Sequence, residues 1–260
     1  MDFGLRGKRA LVTGGSHGIG LGISEALVRE GAAVAILGRD EYRLEAACES
    51  LTRQGGDVLT LRADALLQPE IDAAWTEIHA KLGGIDVLVN NVGGGGRWGQ
   101  EDILETGPEV WSEVYQKNAG VAIQLTKLAL PGMLANEWGR VVTVTSTHGT
   151  LIGGRPWFNM AKVAQTVLMK NLARRPELVR AGITFNSVAP GGIYIPDTGW
   201  EELERTDPTE FFRLMENLPL GRMGTPAEVG NLVAFLSSDK ASYINGSSIV
   251  VDGGETVHLE

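Results

Sequence analysis

The sequence predicts a doubly wound α/β fold, a single domain on a seven-stranded parallel sheet with helices on both faces. Near-continuous runs of Val, Leu, Ile and Ala recur along the chain, as strands buried on both faces require. These runs alternate with segments whose apolar residues recur at helical spacing. A Gly-rich turn joins the first run to the first helix, and right-handed crossovers then place helices on either face.

The first strand is Arg9-Ala10-Leu11-Val12, and its helix starts at Gly18 with Ile19, Ile23, Ala26 and Leu27 on one side. Ala33 to Leu37 forms the second strand, followed by a helix with Leu44, Ala47 and Leu51 on one face. Val58 to Leu61 is the third; its helix carries Ile71, Trp75, Ile78 and Leu82. Val87 to Val89 is the fourth strand and Val141 to Val144 the fifth, before a helix from about Trp157 to Arg174. Ile183 to Val188 is the sixth, and a helix around Ala227 to Leu236 precedes the seventh, Ser248 to Val251. No repeat, low-complexity tract or linker divides residues 1–260. The segment 191–219 breaks the rhythm. Its prolines and acidic residues disfavour a packed core and predict an irregular, mobile substrate lid.

With 23 Lys and Arg against 32 Asp and Glu the net charge is −9, which argues against a nucleic-acid partner. No run approaches the roughly 18 apolar residues of a membrane span, and Met1 to Gly7 lacks an apolar signal core, so no membrane partner is expected. Cys48 is the single cysteine, and no Cys and His cluster has zinc spacing; a reducing, cytoplasmic location without a bound metal is expected. The 35 glycines exceed the usual share of about 7%.

Several glycines fall in Thr13-Gly14-Gly15-Ser16-His17-Gly18-Ile19-Gly20, between the first strand and first helix. There they let a phosphate approach the backbone while the helix N-terminus supplies N–H donors and positive potential. The spacing is not G-x-G-x-x-G, and a plain tight turn is the alternative. Further motifs follow in order: Asn90-Asn91-Val92-Gly93, Lys117-Asn118-Ala119-Gly120, Ser146 three residues before Gly149, Pro190-Gly191 after a strand, and Val251-Asp252-Gly253-Gly254. Over nearly its whole length the chain resembles the short-chain dehydrogenase/reductase family, closest to its ketoacyl-reductase-like branch.

That resemblance implies a Rossmann-type fold, a nicotinamide cofactor and hydride transfer between a carbonyl and a secondary alcohol in a small-molecule substrate. It implies a cofactor site of Gly14, Ser16, His17, Gly18, Ile19, Gly20, Arg39, Asp64, Asn90, Gly93, Lys162, Pro190, Gly191 and Ile193. Ser146 would bind the reacting oxygen, with Lys162 and Asn118 ordering ribose and water; a strand cap, a solvated lysine and a structural amide are the bland alternatives. Arg39, where NAD-preferring members carry an acid, suits the 2′-phosphate of NADP(H), and His17 points the same way; the adjacent Asp40 keeps NAD(H) open. Family members of this length usually form homotetramers. The helix after Phe158 is apolar on more than one side, with Val163, Ala164, Val167, Leu168, Met169 and Leu172.

One position departs from the family. Its catalytic pair is Tyr-x-x-x-Lys, and here Trp157-Phe158-Asn159-Met160-Ala161-Lys162 aligns Phe158 with the tyrosine. The ring is kept while the proton-donating hydroxyl is lost. His148 and Tyr194 are the candidate substitute acids; a loop histidine and a pocket-wall tyrosine are their alternatives. Ile195 replaces a threonine that relatives use on the carboxamide, and Arg97 either meets an anionic substrate group or is solvated. Three readings follow: an oxidoreductase with an atypical active site, a dinucleotide-binding sensor or pseudoenzyme, and an engineered variant of an active reductase. The last is suggested by Leu259-Glu260, which look like the start of a tag linker.

Overall fold

A computed structural model describes residues 2–100 and 102–257; the Leu259-Glu260 pair lies outside the described residues. The seven strands are β1 (Arg9–Thr13), β2 (Ala33–Gly38), β3 (Val58–Arg62), β4 (Val87–Asn90), β5 (Gly139–Val144), β6 (Ile183–Pro190) and β7 (Ser248–Val251). All pair in parallel, in the order β3-β2-β1-β4-β5-β6-β7. The seven-stranded doubly wound sheet is therefore as expected.

Within β1, Val12 faces one side of the sheet and Leu11 the other, the two-residue period of a strand. On Val12's side lie α1 (Gly18–Arg29), α2 (Glu41–Arg53) and the C-terminal helix Pro226–Leu236, through Ile23, Leu27, Leu51 and Val233. Leu11's side is covered by α3 (Gln68–Leu82), by the helices Val121–Ala135 and Pro156–Leu172, and by Ile71, Ile78, Leu125 and Met169. The order in which successive strands are added reverses between β1 and β4, although the strands themselves stay parallel. The crevice outside their carboxyl ends is where such sheets bind ligands.

Two features differ from the sequence-based expectation. Between β4 and β5 run α4 (Pro108–Tyr115) and α5 (Val121–Ala135), joined by a π-helical turn at Gln116–Gly120; composition gives the turn no local signature. After α6 (Pro156–Leu172) and the short α7 (Pro176–Val179), the segment 191–219 is largely helical instead of irregular. It carries α8 (Gly199–Thr206) and α9 (Pro208–Glu216), and their Leu203, Phe211 and Met215 pack with Tyr194, Trp200 and Met223 into a cluster of their own. Asp207 caps α9, and Pro208 occupies its first position, where a missing N–H costs nothing. The acidic residues lie outward, and the apolar ones recur at helical spacing beneath them.

Helix α10 (Pro226–Leu236) crosses α1 with backbone almost touching. A Cβ on Gly22 would lie 2.6 Å from the Pro226 carbonyl, and one on Gly230 would run into the Gly22 carbonyl oxygen. Gly22→Val is therefore expected to cost roughly 1–3 kcal/mol through overpacking and to lower the melting temperature by several degrees. An unchanged thermal melt would refute this crossing.

Candidate active site

The β1–α1 turn is tied to the end of β4. Thr13 Oγ1 accepts from the Asn91 and Val92 N–H groups, each at 2.9 Å, and Asn91 Nδ2 donates to the Thr13 carbonyl at 2.9 Å. Only glycine fits at position 20, because a Cβ there would overlap the Gly14 carbonyl. Helix α1 thus starts hard against the loop. His17 is its N-cap, yet the side chain makes no capping bond, so the first amides of α1 keep no side-chain acceptor. Such an end accepts an anion.

Beside this turn opens a cleft of about 710 Å³. Of the expected residues it brings together Gly14, Ser16, His17, Arg39, Asp64 and Gly93. Arg39 pairs with Asp64 at 3.4 Å, and Arg43 pairs with Asp40, the N-cap of α2, at 3.8 Å. The Asn90 side chain turns inward, donating to Thr126 Oγ1 at 3.2 Å and Thr143 Oγ1 at 3.3 Å, so it clamps the sheet and does not line the cleft. Its neighbour Asn91 lines the cleft instead. Pro190 ends β6 and Gly191 follows it; beyond them Ile193 is buried and bridges to Gly224. Ile195 packs on the Gly-rich turn, where a Cβ on Gly18 would approach it within 3.1 Å.

Along the crevice lies the second group. The π-helical turn rotates Asn118 inward, where it is fully buried. Its Nδ2 donates to the Val114 carbonyl at 2.7 Å and the Gly94 carbonyl at 2.8 Å, and Oδ1 accepts from the Gly94 N–H at 3.1 Å. A Cβ on Gly93 would come within 2.5 Å of Asn118 Oδ1 and 3.1 Å of Lys162 Nζ. The glycine backbone, Asn118 and Lys162 therefore meet at one point. Lys162 is buried, its Nζ donating to the Val144 carbonyl at 3.3 Å, and burial pulls the ammonium down to about 7.

Phe158, one turn before Lys162 on α6, holds its ring 5.7 Å from Lys162 Nζ and beneath Gly96. The His148 ring meets it edge-on, centroids 6.2 Å apart. Ser146 Oγ accepts from the His148 N–H at 3.2 Å at the mouth of β5, and His148 Nδ1 is buried without a hydrogen-bond partner. Tyr194 is placed elsewhere. Its hydroxyl donates to Glu204 of α8 at 2.6 Å, and that carboxylate holds the phenol protonated, pushed up to about 12. Of the two candidate acids, His148 stands with Ser146 and Phe158, whereas Tyr194 belongs to the 191–219 cluster.

Sequence reasoning missed Arg43, Lys117, Trp98 and Asn91 as cleft residues. It also passed over Gln165, whose Nε2 donates to the Asn118 carbonyl at 3.2 Å. Gln165 lies three residues after Lys162, so helical spacing alone puts it on the same face.

A family model described as enoyl-(acyl carrier protein) reductase matches residues 14–256. The chain belongs to the short-chain dehydrogenase/reductase family. Among its curated relatives is a 2,3-dihydroxy-2,3-dihydro-p-cumate dehydrogenase of Pseudomonas putida, 34% identical over 97% of this chain and 96% of the relative. The 3-oxoacyl-[acyl-carrier-protein] reductase FabG of Escherichia coli is 33% identical over 95% and 97% of the two chains. The structure of L-sorbose reductase from Gluconobacter frateurii complexed with NADPH and L-sorbose superposes with a TM-score of 0.90, at 32% identity, over 100% of each chain. These short-chain dehydrogenases and reductases are oxidoreductases. Among the described residues, no helix is long and apolar enough to cross a membrane, and no group of three or more His, Cys, Asp or Glu is placed to hold a metal ion.

Proposed function

We propose that the protein is an NADP(H)-preferring oxidoreductase interconverting a carbonyl and a secondary alcohol, with Phe158 where relatives carry the catalytic tyrosine. The observation that supports it best is the convergence of Gly93, Asn118 and Lys162 on one point of the crevice, with Ser146, His148 and Phe158 on its wall. The fit to a dinucleotide rests on the uncapped start of α1 and on the bare backbone at Gly20 and Gly93. Gly14, Ser16, Gly18, Ile19 and Gly20 would hold the pyrophosphate, and Arg39, His17 and Asp64 the adenosine end. Gly93, Lys162 and the Pro190–Ile193 turn would hold the nicotinamide end. When bound, the nicotinamide supplies or accepts hydride.

Ser146 Oγ would orient the substrate oxygen, while Lys162, held by the Val144 carbonyl, keeps a proton near neutrality. With no phenol at position 158, His148, whose ring meets Phe158 beside Ser146, is the acid this reading assigns; its turnover is slow. The same missing hydroxyl favours the second reading, a binding protein without chemistry. The 191–219 helices act as a substrate lid, and the exposed stripe Met160, Val163 and Val167 on α6 joins protomers in a homotetramer. Light scattering near the single-chain 27.8 kDa at micromolar concentration would exclude the tetramer.

The test is titration of NADPH and NADH by tryptophan fluorescence, followed by single-turnover reduction of a carbonyl panel. NADPH should bind more tightly; tighter NADH overturns the preference, and binding of neither overturns the function. Arg39→Ala should weaken NADPH by roughly tenfold or more and leave NADH nearly unchanged, since a charge-assisted phosphate contact is lost. Equal weakening of both would remove Arg39 from the phosphate site.

A further inference from the structure

We infer that Lys117 is a second specificity-determining residue for the cofactor, poised over Trp98 to bind the 2′-phosphate that distinguishes NADP(H) from NAD(H). This rests on the dinucleotide reading above.

The charged side chains lining the cleft are Arg39, Arg43 and Lys117 against Asp40 and Asp64. Both arginines already have partners, Arg39 with Asp64 at 3.4 Å and Arg43 with Asp40 at 3.8 Å. Lys117 has no carboxylate within salt-bridge distance among the described residues; its ammonium sits 4.3 Å from the centroid of the Trp98 indole. An arriving dianion therefore meets one cation that need not break an ion pair to answer it.

Position decides which anion this is. The pyrophosphate belongs at the start of α1, whose amides are free. Lys117 instead stands near the adenosine end, where it feels the repulsion of Arg39 and the attraction of Asp64. Half-burial and Arg39 together hold its ammonium below an ordinary lysine, so an incoming phosphate would restore a favourable charge balance there.

The pair is also held in place. Arg155 Nη1 donates to the carbonyls of Trp98 and Gly99, each at 2.8 Å, which anchors the tip of the glycine loop 93–99 from the start of α6. Asn118, the next residue after Lys117, is pinned by its bonds to Gly94. Trp98 thus sits on a loop tied at one end to the Lys117 segment through Asn118 and Gly94 and at the other to α6 through Arg155, and the cation–π contact is part of the cleft wall.

The experiment measures NADPH and NADH dissociation constants calorimetrically for the wild-type protein, Lys117→Met and Lys117→Arg, at two salt concentrations. Lys117→Met keeps the apolar stem on Trp98 and should weaken NADPH by roughly 10- to 100-fold while changing NADH less than about threefold. The salt dependence of NADPH binding should fall as well, and Lys117→Arg should restore most of the affinity. An unchanged NADPH/NADH ratio, or equal weakening of both cofactors, overturns the assignment. Wild-type protein that binds neither cofactor overturns the function itself, so the two failures are distinguishable.

Discussion

Phe158→Tyr is expected to raise the rate of carbonyl reduction by about 10²- to 10⁴-fold, the usual contribution of a positioned general acid. The ring already stands in the site, 5.7 Å from Lys162 Nζ and with its centroid 6.2 Å from that of the His148 ring. A neighbouring ammonium that titrates at about 7 can lower the phenol's pKa and return its proton. Cofactor affinity should stay within a few-fold, because the Gly-rich turn and Gly93 make no use of that hydroxyl. Single-turnover kinetics with both proteins separate three outcomes. A large gain means Ser146, Lys162 and Asn118 remain arranged for catalysis. Substantial activity before the change and little gain after it assigns the proton to His148, and His148→Ala should then abolish turnover. Inactivity of both, with cofactor bound, selects the binding-only reading.

Lys162→Met should have two opposite effects, loss of residual turnover and a gain in stability confined to one side of the pH scale. The folded pKa of about 7 lies below the unfolded value, near 10.4. Between those values the unfolded chain holds a proton that the folded chain has released, so stability rises with pH through this window. Below about pH 7 both states are protonated and the full cost of burying the ammonium is present. Replacing Lys162 by the isosteric Met removes that cost. The cofactor-free variant should therefore be more stable than wild type at pH 6, by on the order of a few kcal/mol, and the difference should shrink towards pH 10. Chemical denaturation at the two pH values checks this; a constant difference would mean that Lys162 does not titrate in the folded protein near neutrality.

Much of the architecture was legible because it depends on local periodicity. The residue alternation of β1 and the helical spacing of Ile23, Ala26 and Leu27 are properties of neighbouring residues, and they placed the strands to within a residue or two. The excursion 191–219 was misread because composition was weighed without period. Its acids and prolines suggest an irregular, mobile segment, yet Phe211 and Met215 are buried and the partly buried Leu203 packs against them. The π-helical turn at Gln116–Gly120 had no signature, since it is stabilised by bonds from Asn118 to Gly94, a residue distant in the chain.

The candidate site divides in the same way. Motif resemblance marked Gly20 in the first turn of α1, Asn118 in the π-helical turn, Ser146 just past β5 and Lys162 within α6, and it raised the expectation that Phe158 stands where relatives carry a hydroxyl. It could not rank His148 against Tyr194. Packing did that, by setting the imidazole against Phe158 and committing the phenol to Glu204. Nor could it find the Lys117 and Trp98 pair or the inward turn of Asn90, for these depend on which segments meet across the sheet end. Strand and helix periods are written in adjacent residues; a charge's partner, and hence its freedom to bind, is settled only where distant segments close on one another.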